Sequence, residues 1–240
     1  MNAIDAIIND PSDSAHSSAG QRMTGSEMIV QVLADEGVDT IFGYSGGAIL
    51  PTYDAVFVHN RREQDAGRPG MPLIVPASEQ GAGFMAAGYA RASGRVGVAL
   101  VTSGPGATNT VTPIRDCMAD SVPIVVICGQ VPTPAIGSDA FQEAPVPSIM
   151  GPVAKHVFLV TQPERLEATI RTAFEIARTG RPGPVVVDVP KDVQNWQGVF
   201  DGASRLAIPG YRRRLAQLDG AQLADAACAD FFRMLAQAER

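Results

Sequence analysis

The sequence has 240 residues, 45% of them apolar and 18% charged, with 24 glycines and 18 prolines. That length and composition exclude whole-chain disorder and make one good-sized domain with extensions, large enough to need neither disulfides nor a structural metal. The formal net charge of −6 has the wrong sign for binding nucleic acid or an anionic membrane, which leaves a small-molecule site as the expectation. Cys117, Cys128 and Cys228 are odd in number and belong to no CxxC pair or His cluster, the usage of a reduced, cytoplasmic chain without zinc. The Ser-rich start has no basic region followed by an apolar stretch, so residues 1–22 are set aside as a flexible tail. Gly, Pro or a charge interrupts every apolar run well short of the roughly 18 residues that a membrane span needs, and the chain is read as soluble.

Thr24-Gly25-Ser26-Glu27 forms a capping box before Met28, Ile29, Val32 and Leu33, which recur at helical spacing until Gly37. A short strand at 40–42 meets Gly43, Gly46 and Gly47, and a helix follows over 48–58 with Pro51 in its first turn. A charged, Gly-rich loop over 60–70 precedes a strand at 73–75 and a small-residue helix from Glu79 to Ser93, closed by Gly94. Val96 to Val101 is an apolar strand, Ser103-Gly104-Pro105-Gly106 a turn, and 107–119 a helix. Further strands are predicted at 124–127, 157–160 and 185–189, with an amphipathic helix over 163–178 between the last two. Unbroken β-branched strands alternating with helices predict a doubly wound α/β domain over 23–195: a six-stranded, mainly parallel sheet with helices on both faces. Residues 196–218, with Gly, Pro and Arg212-Arg213-Arg214, read as a linker. The stretch from Gln222 to Glu239 is an amphipathic helix whose apolar face wants a partner surface.

Open α/β sheets bind ligands at the carboxyl ends of their strands, so the turns after the strands hold the candidate chemistry. Gly43-Tyr44-Ser45-Gly46-Gly47 matches a G-x-S-x-G nucleophile elbow, and Asp139 or Glu143 followed by His156 supplies the order of a serine-hydrolase triad. Against it, His156 falls at the start of a predicted strand, the wrong end, and a simple tight turn explains Ser45 as well. Gly104-Pro105-Gly106 with Asn109 only superficially resembles a dinucleotide fingerprint, and close packing explains its glycines as readily as binding does. Glu79 directly follows a strand and opens a helix, which puts a carboxylate at the ligand edge; the alternative is a helix-terminal carboxylate favoured by the macrodipole alone.

Taken together, these turns resemble the N-terminal, pyrimidine-binding domain of thiamine-diphosphate enzymes, and most closely the acetolactate (acetohydroxyacid) synthase large subunits. The resemblance spans residues 24–195 through Gly43 to Pro51, Glu79 to Gly83, Gly88 to Ala92, Val101 to Asn109, Gly129 to Pro132, Asp139 to Glu143, Gly180 to Pro184 and Pro190 to Val193. It implies that Glu79 is the carboxylate that hydrogen-bonds N1′ of the aminopyrimidine and so activates the cofactor. By the same resemblance Tyr44, Ser45, Gly46, Gly47 and Ala48, with Gly104, Pro105, Gly106 and Asn109, surround the cofactor. Gln142 resembles a polar contact to bound reactant, and Pro132, Phe141 and Lys191 resemble positions lining the substrate channel.

The chain departs from the family pattern where Ser45 replaces Pro, Ser78 replaces His, and Phe84 and Ala87 replace a second His and a Glu. The Gly-Asp-Gly motif and later Asn-Asn that hold magnesium and the diphosphate in the family do not occur in these residues. The expectation is therefore the pyrimidine half of a thiamine-diphosphate site for pyruvate or another 2-keto acid, inactive alone. Magnesium and FAD would belong only to the full-length family enzyme. The implied partner is a second copy or a chain carrying the diphosphate domain, and residues 219–240 would belong to a middle domain. A non-catalytic interaction module of the same fold is the alternative, with a hydrolase using Ser45 behind it.

Overall fold

Strand β1 (Arg22–Thr24) runs into helix α1 (Gly25–Asp35), and the Thr-x-x-Glu pattern acts at their junction. Thr24 Oγ1 accepts from the Glu27 amide at 3.2 Å while the Glu27 carboxylate accepts from the Thr24 amide at 2.8 Å, so each satisfies a backbone donor that the helix leaves free. Met28, Ile29, Val32 and Leu33 then point into the core. The computed structural model describes residues 16–219 and 224–238.

Next come β2 (Ile41–Tyr44), α2 (Leu50–Asp65), β3 (Leu73–Ile74), α3 (Glu79–Ser93) and β4 (Gly97–Val101). A short helical turn α4 (Pro105–Thr108) leads to α5 (Val111–Asp120) and β5 (Ile124–Gln130). A loop containing the 3₁₀ turn Thr133–Ala135 reaches α6 (Val146–Met150) and β6 (His156–Leu159). The sequence closes through α7 (Leu166–Arg178), β7 (Val185–Pro190), α8 (Lys191–Asn195) and β8 (Gln197–Val199).

Six strands form one sheet in the order β3-β2-β4-β5-β7-β6, and every adjacent pair is parallel. The doubly wound expectation is met strand for strand. Side chains alternate across a strand, so Ala99, Val101, Val126, Cys128 and Val186 pack beneath α3, α5 and α6 on one face. Their neighbours in sequence point the other way, where α7 lies against β5 and β7, and α1 against α7.

Four stretches differ from the sequence reading. The charged segment 60–65 continues α2 instead of looping, its end closed by the Arg68–Glu63 ion pair, because an exposed helix needs no apolar period. The helix predicted over 107–119 is broken near Asn109, where the Thr110 hydroxyl donates to the Ala107 carbonyl at 2.6 Å and competes with the helical ladder. Within 196–218, β8 pairs antiparallel with β1, matching Thr24 to Gln197. Arg22, inside the stretch set aside as tail, belongs to β1, and residues 1–15 of that stretch lie outside the described residues.

Phe200 behind β8 is fully buried, with the Arg171 guanidinium 5.5 Å above its ring. Arg171 itself bonds Glu167 at 3.0 Å and Asp35 at 2.5 Å, and Glu167 accepts from the Asp201 and Gly202 amides. Residues 16–206 make one unit and those from Ala207 another. The latter contains α9 (Tyr211–Asp219) and α10 (Asp225–Gln237), where Phe231, Phe232, Met234 and Leu235 are exposed. The terminal helix predicted over 222–239 falls on α10, and Gln222, Leu223 and Glu239 lie outside the described residues. No helix among the described residues is long and apolar enough to cross a membrane.

Candidate functional site

The carboxyl ends of β2, β3, β4, β5 and β7 bring together turns that are far apart in sequence. Glu79 is the first residue of α3 and only 9% exposed. Ser78 caps that helix, its hydroxyl accepting from the Gly81 amide at 3.2 Å, which leaves the Glu79 carboxylate free to face the turn after β4. There Asn109 Nδ2 donates to Glu79 Oε2 at 2.9 Å. The break between α4 and α5 puts Asn109 at the end of α4.

Gly106 lies beside the other carboxylate oxygen: a Cβ there would stand 3.5 Å from Glu79 Oε1 and 2.6 Å from Thr102 Cγ2. Gly46 meets the same threonine, since its Cβ would fall 2.5 Å from Thr102 Cγ2, and the Ala48 amide donates to Thr102 Oγ1 at 3.3 Å. Thr102 is therefore the post on which the β2–α2 turn and the β4–α4 turn both rest. Gly129 passes under Ala48 with room for no Cβ, and Gln194 of α8 donates to the Ala48 carbonyl at 2.8 Å and the Val189 carbonyl at 2.9 Å. Tyr44 and Ser45 remain exposed at the rim, and Gly47 faces open space.

Burial pushes the Tyr53 phenol up, and the Glu79 carboxylate adds to that shift, so the field of Glu79 reaches the floor beneath Gly43. The carboxylate also sits at a helix N-terminus, where the aligned peptide dipoles favour negative charge. A buried, singly hydrogen-bonded carboxylate with one oxygen beside a glycine can accept a proton or a hydrogen bond from a flat polar ring. The site thus fits an aminopyrimidine edge.

The loop 131–144 enters over Gly104, whose φ is +55° and whose Cβ would lie 2.5 Å from the Gln142 carbonyl oxygen. Gln142 is thereby brought against the turn that carries Gly106, while Phe141 is 89% exposed beside it. Pro132 opens the 3₁₀ turn and Lys191 opens α8, both at carboxyl ends of their strands, and neither hydrogen-bonds Glu79 or Asn109. Sequence reasoning gave no individual role to Thr102, Gln194, Gln130 or Asp188, although Thr102 and Gln130 lie within the motifs that carry the resemblance. A polar residue inside an otherwise apolar strand was the available signal for the last two. Burial pushes the Asp188 carboxyl up to about 7 against the lowering effect of its bond from Gln130, and its Oδ1 has no partner.

The hydrolase alternative fails on geometry. His156 stands at the amino end of edge strand β6, level with Val185, whereas Ser45 follows the carboxyl end of β2. Four inter-strand steps at roughly 4.8 Å each separate the two strands, and the residues lie at opposite ends of the sheet, so no Ser–His hydrogen bond can form.

Residues 23–149 match the family described as thiamine pyrophosphate enzyme, N-terminal TPP binding domain. The chain belongs to this family. It is 48% identical over 196 residues to the acetolactate synthase large subunit of Corynebacterium glutamicum, covering 82% of this chain and 30% of that protein. Identity to the mitochondrial acetolactate synthase catalytic subunit of Saccharomyces cerevisiae is 54% over 171 residues, 71% of this chain and 24% of the yeast protein. The large subunit from Haemophilus influenzae is 51% identical over 175 residues, 73% of this chain and 29% of the relative. The chain thus spans about a third or less of the length of these relatives, and what it shares with them is the thiamine-diphosphate-binding N-terminal domain.

Proposed function

We propose that this chain supplies the pyrimidine side of a thiamine-diphosphate site in an acetolactate-synthase-like enzyme acting on pyruvate or another 2-keto acid. The observation that carries the reading is the Glu79 carboxylate, buried at the sheet's rim and held by Asn109 on one oxygen with Gly106 beside the other. When bound, thiamine diphosphate supplies a carbon nucleophile and an electron sink for decarboxylation. Glu79 Oε1 would share a proton with N1′ of the aminopyrimidine, the carboxyl donating it to the neutral ring nitrogen and the carboxylate taking it back from the protonated ring, and Asn109 fixes which oxygen is left to do so. The β2–α2 turn, from Tyr44 to Ala48, and the turn from Gly104 to Gly106 bound the ring edge, the first resting on Thr102 and Gln194. Gln142 orients the reactant, and Phe141, Pro132 and Lys191 line its approach.

Magnesium and the diphosphate would be held by a chain that carries the diphosphate domain, whose Gly-Asp-Gly motif does not occur in these residues, and FAD mostly by the family's middle domain. The exposed apolar side chains Leu50, Phe57, Ile74, Val75, Phe84 and Met85 around α2, β3 and α3 support association there. Buried, unpaired Cys117 and Cys128 support a reducing, cytoplasmic setting.

The test is to add thiamine diphosphate, magnesium and pyruvate to the purified chain, alone and with a polypeptide carrying the diphosphate domain. Acetolactate should form only in the mixture, and Glu79→Gln should abolish it while leaving the fold intact. Turnover by the lone chain, or a Glu79→Gln mixture as active as wild type, would overturn the proposal. A mixture that stays inactive while binding the partner favours the interaction module.

A further inference from the structure

The loop 131–144 carries strain that its own sequence does not relieve. Asp139 and Gln142 both have φ of +56°, in the left-handed region that side chains avoid, and Gly137 has φ of +86°. Two side chains nevertheless tie the loop down. At its tip the Glu143 carboxylate accepts from the amides of Gly137 and, at 3.0 Å, Ala140, turning both donors inward on one acceptor. At its base the Gln130 amide group is fully used: Oε1 accepts from the Val131 amide at 2.8 Å, and Nε2 donates to the Ala144 carbonyl at 3.0 Å and to Asp188 at 2.9 Å. One side chain therefore joins the first and last residues of the loop and anchors both to β7.

The consequence reaches the site. With its base and tip fixed, the loop presses the Gln142 backbone onto Gly104, two residues from the Gly106 that borders Glu79. We infer that Glu143 and Gln130 are positioning residues that hold loop 131–144 preformed, so that Gln142 is set against the Gly104 turn before any reactant arrives. This rests on the reading of Gln142 as the reactant contact.

The experiment uses the full chain without ligand, following amide exchange residue by residue by NMR and chymotryptic cleavage after the exposed Phe141. In Glu143→Ala, exchange at Gly137 and Ala140 and cleavage after Phe141 should each rise about tenfold, with the thermal midpoint unchanged, because only a local opening is released. Glu143→Gln retains an acceptor oxygen and should recover part of that protection, which a merely space-filling role would not predict. Gln130→Met should expose the Val131 amide in the same way; if that buried variant does not fold, the Glu143 pair still decides. Exchange and cleavage in Glu143→Ala within about twofold of wild type, or a Glu143→Gln as open as Glu143→Ala, would overturn the inference. Saturation-transfer NMR with thiamine diphosphate separates the two ideas. Glu143→Ala should bind it as wild type does and Glu79→Gln more weakly; equal binding by Glu79→Gln sinks the cofactor reading and leaves the loop result standing.

Discussion

Glu79 shows how much a single residue owes to its surroundings. A carboxylate at a helix start is commonplace; one held by Asn109 on one oxygen, with the other beside Gly106, is what the proposed contact to a ring nitrogen rests on. Gly106→Ala tests the second half of that arrangement. Its new methyl would meet Thr102, a packed side chain with little freedom, so the variant should lose roughly 1–3 kcal/mol in urea unfolding as well as cofactor affinity. Asp188 gives a prediction in pH. Folding raises its carboxyl from 3.8 to about 7, so the native state holds the proton more tightly than the unfolded chain. Stability should therefore fall as pH rises between about 4 and 7, by an amount on the order of 4 kcal/mol, and stay low above that. Asp188→Asn cannot ionise and should gain on wild type across the same window. Urea titrations at several pH values across it would reveal the crossing, and parallel curves would refute it.

At the scale of elements, the parts written in local chemistry were legible from the sequence. Thr24 and Glu27 cap α1 as their spacing predicts, and α3 runs from Glu79 to Ser93 with Gly94 left-handed at its end. Removing the Thr24 cap by Thr24→Ala should cost about 1 kcal/mol, read as a lower urea midpoint with unchanged slope. The strands of the main sheet were equally plain, because buried parallel strands are continuous apolar runs. What the sequence did not show were elements without that signature. The outer turns of α2 carry no apolar stripe, β8 is a three-residue edge strand in a Gly-containing segment, and the break between α4 and α5 depends on one threonine bond. Yet that break leaves Asn109 facing Glu79.

Across the 16–206 unit, distant segments are joined by few but buried polar contacts. Arg171 on α7 pairs with Asp35 on α1 and Glu167 on its own helix, and Glu167 in turn caps the backbone after Phe200. Replacing that arginine by methionine keeps the bulk but leaves the buried Glu167 carboxylate with only its two amide donors and takes a cation from Asp35, and should cost roughly 2–3 kcal/mol in global stability. Urea unfolding of Arg171→Met within about 1 kcal/mol of wild type would show the network to be dispensable. The sheet order also settles a question of chemistry, since it places Ser45 and His156 at opposite ends and four strands apart.

By itself the sequence determined the α/β architecture, the helix ends and the identity of the turns that gather at the sheet's rim, because period, capping and glycine punctuation act between neighbours in the chain. Its motifs also pointed to the thiamine-diphosphate family. Only the tertiary structure decided that Thr102 supports two turns, that Gln194 fixes Ala48, and that Gln130 and Glu143 fasten a loop over Gly104. Most of these contacts join residues from separate strands and loops, and a hydrogen bond across that separation leaves no periodic trace in the chain. It exists only once the sheet has brought the turns together.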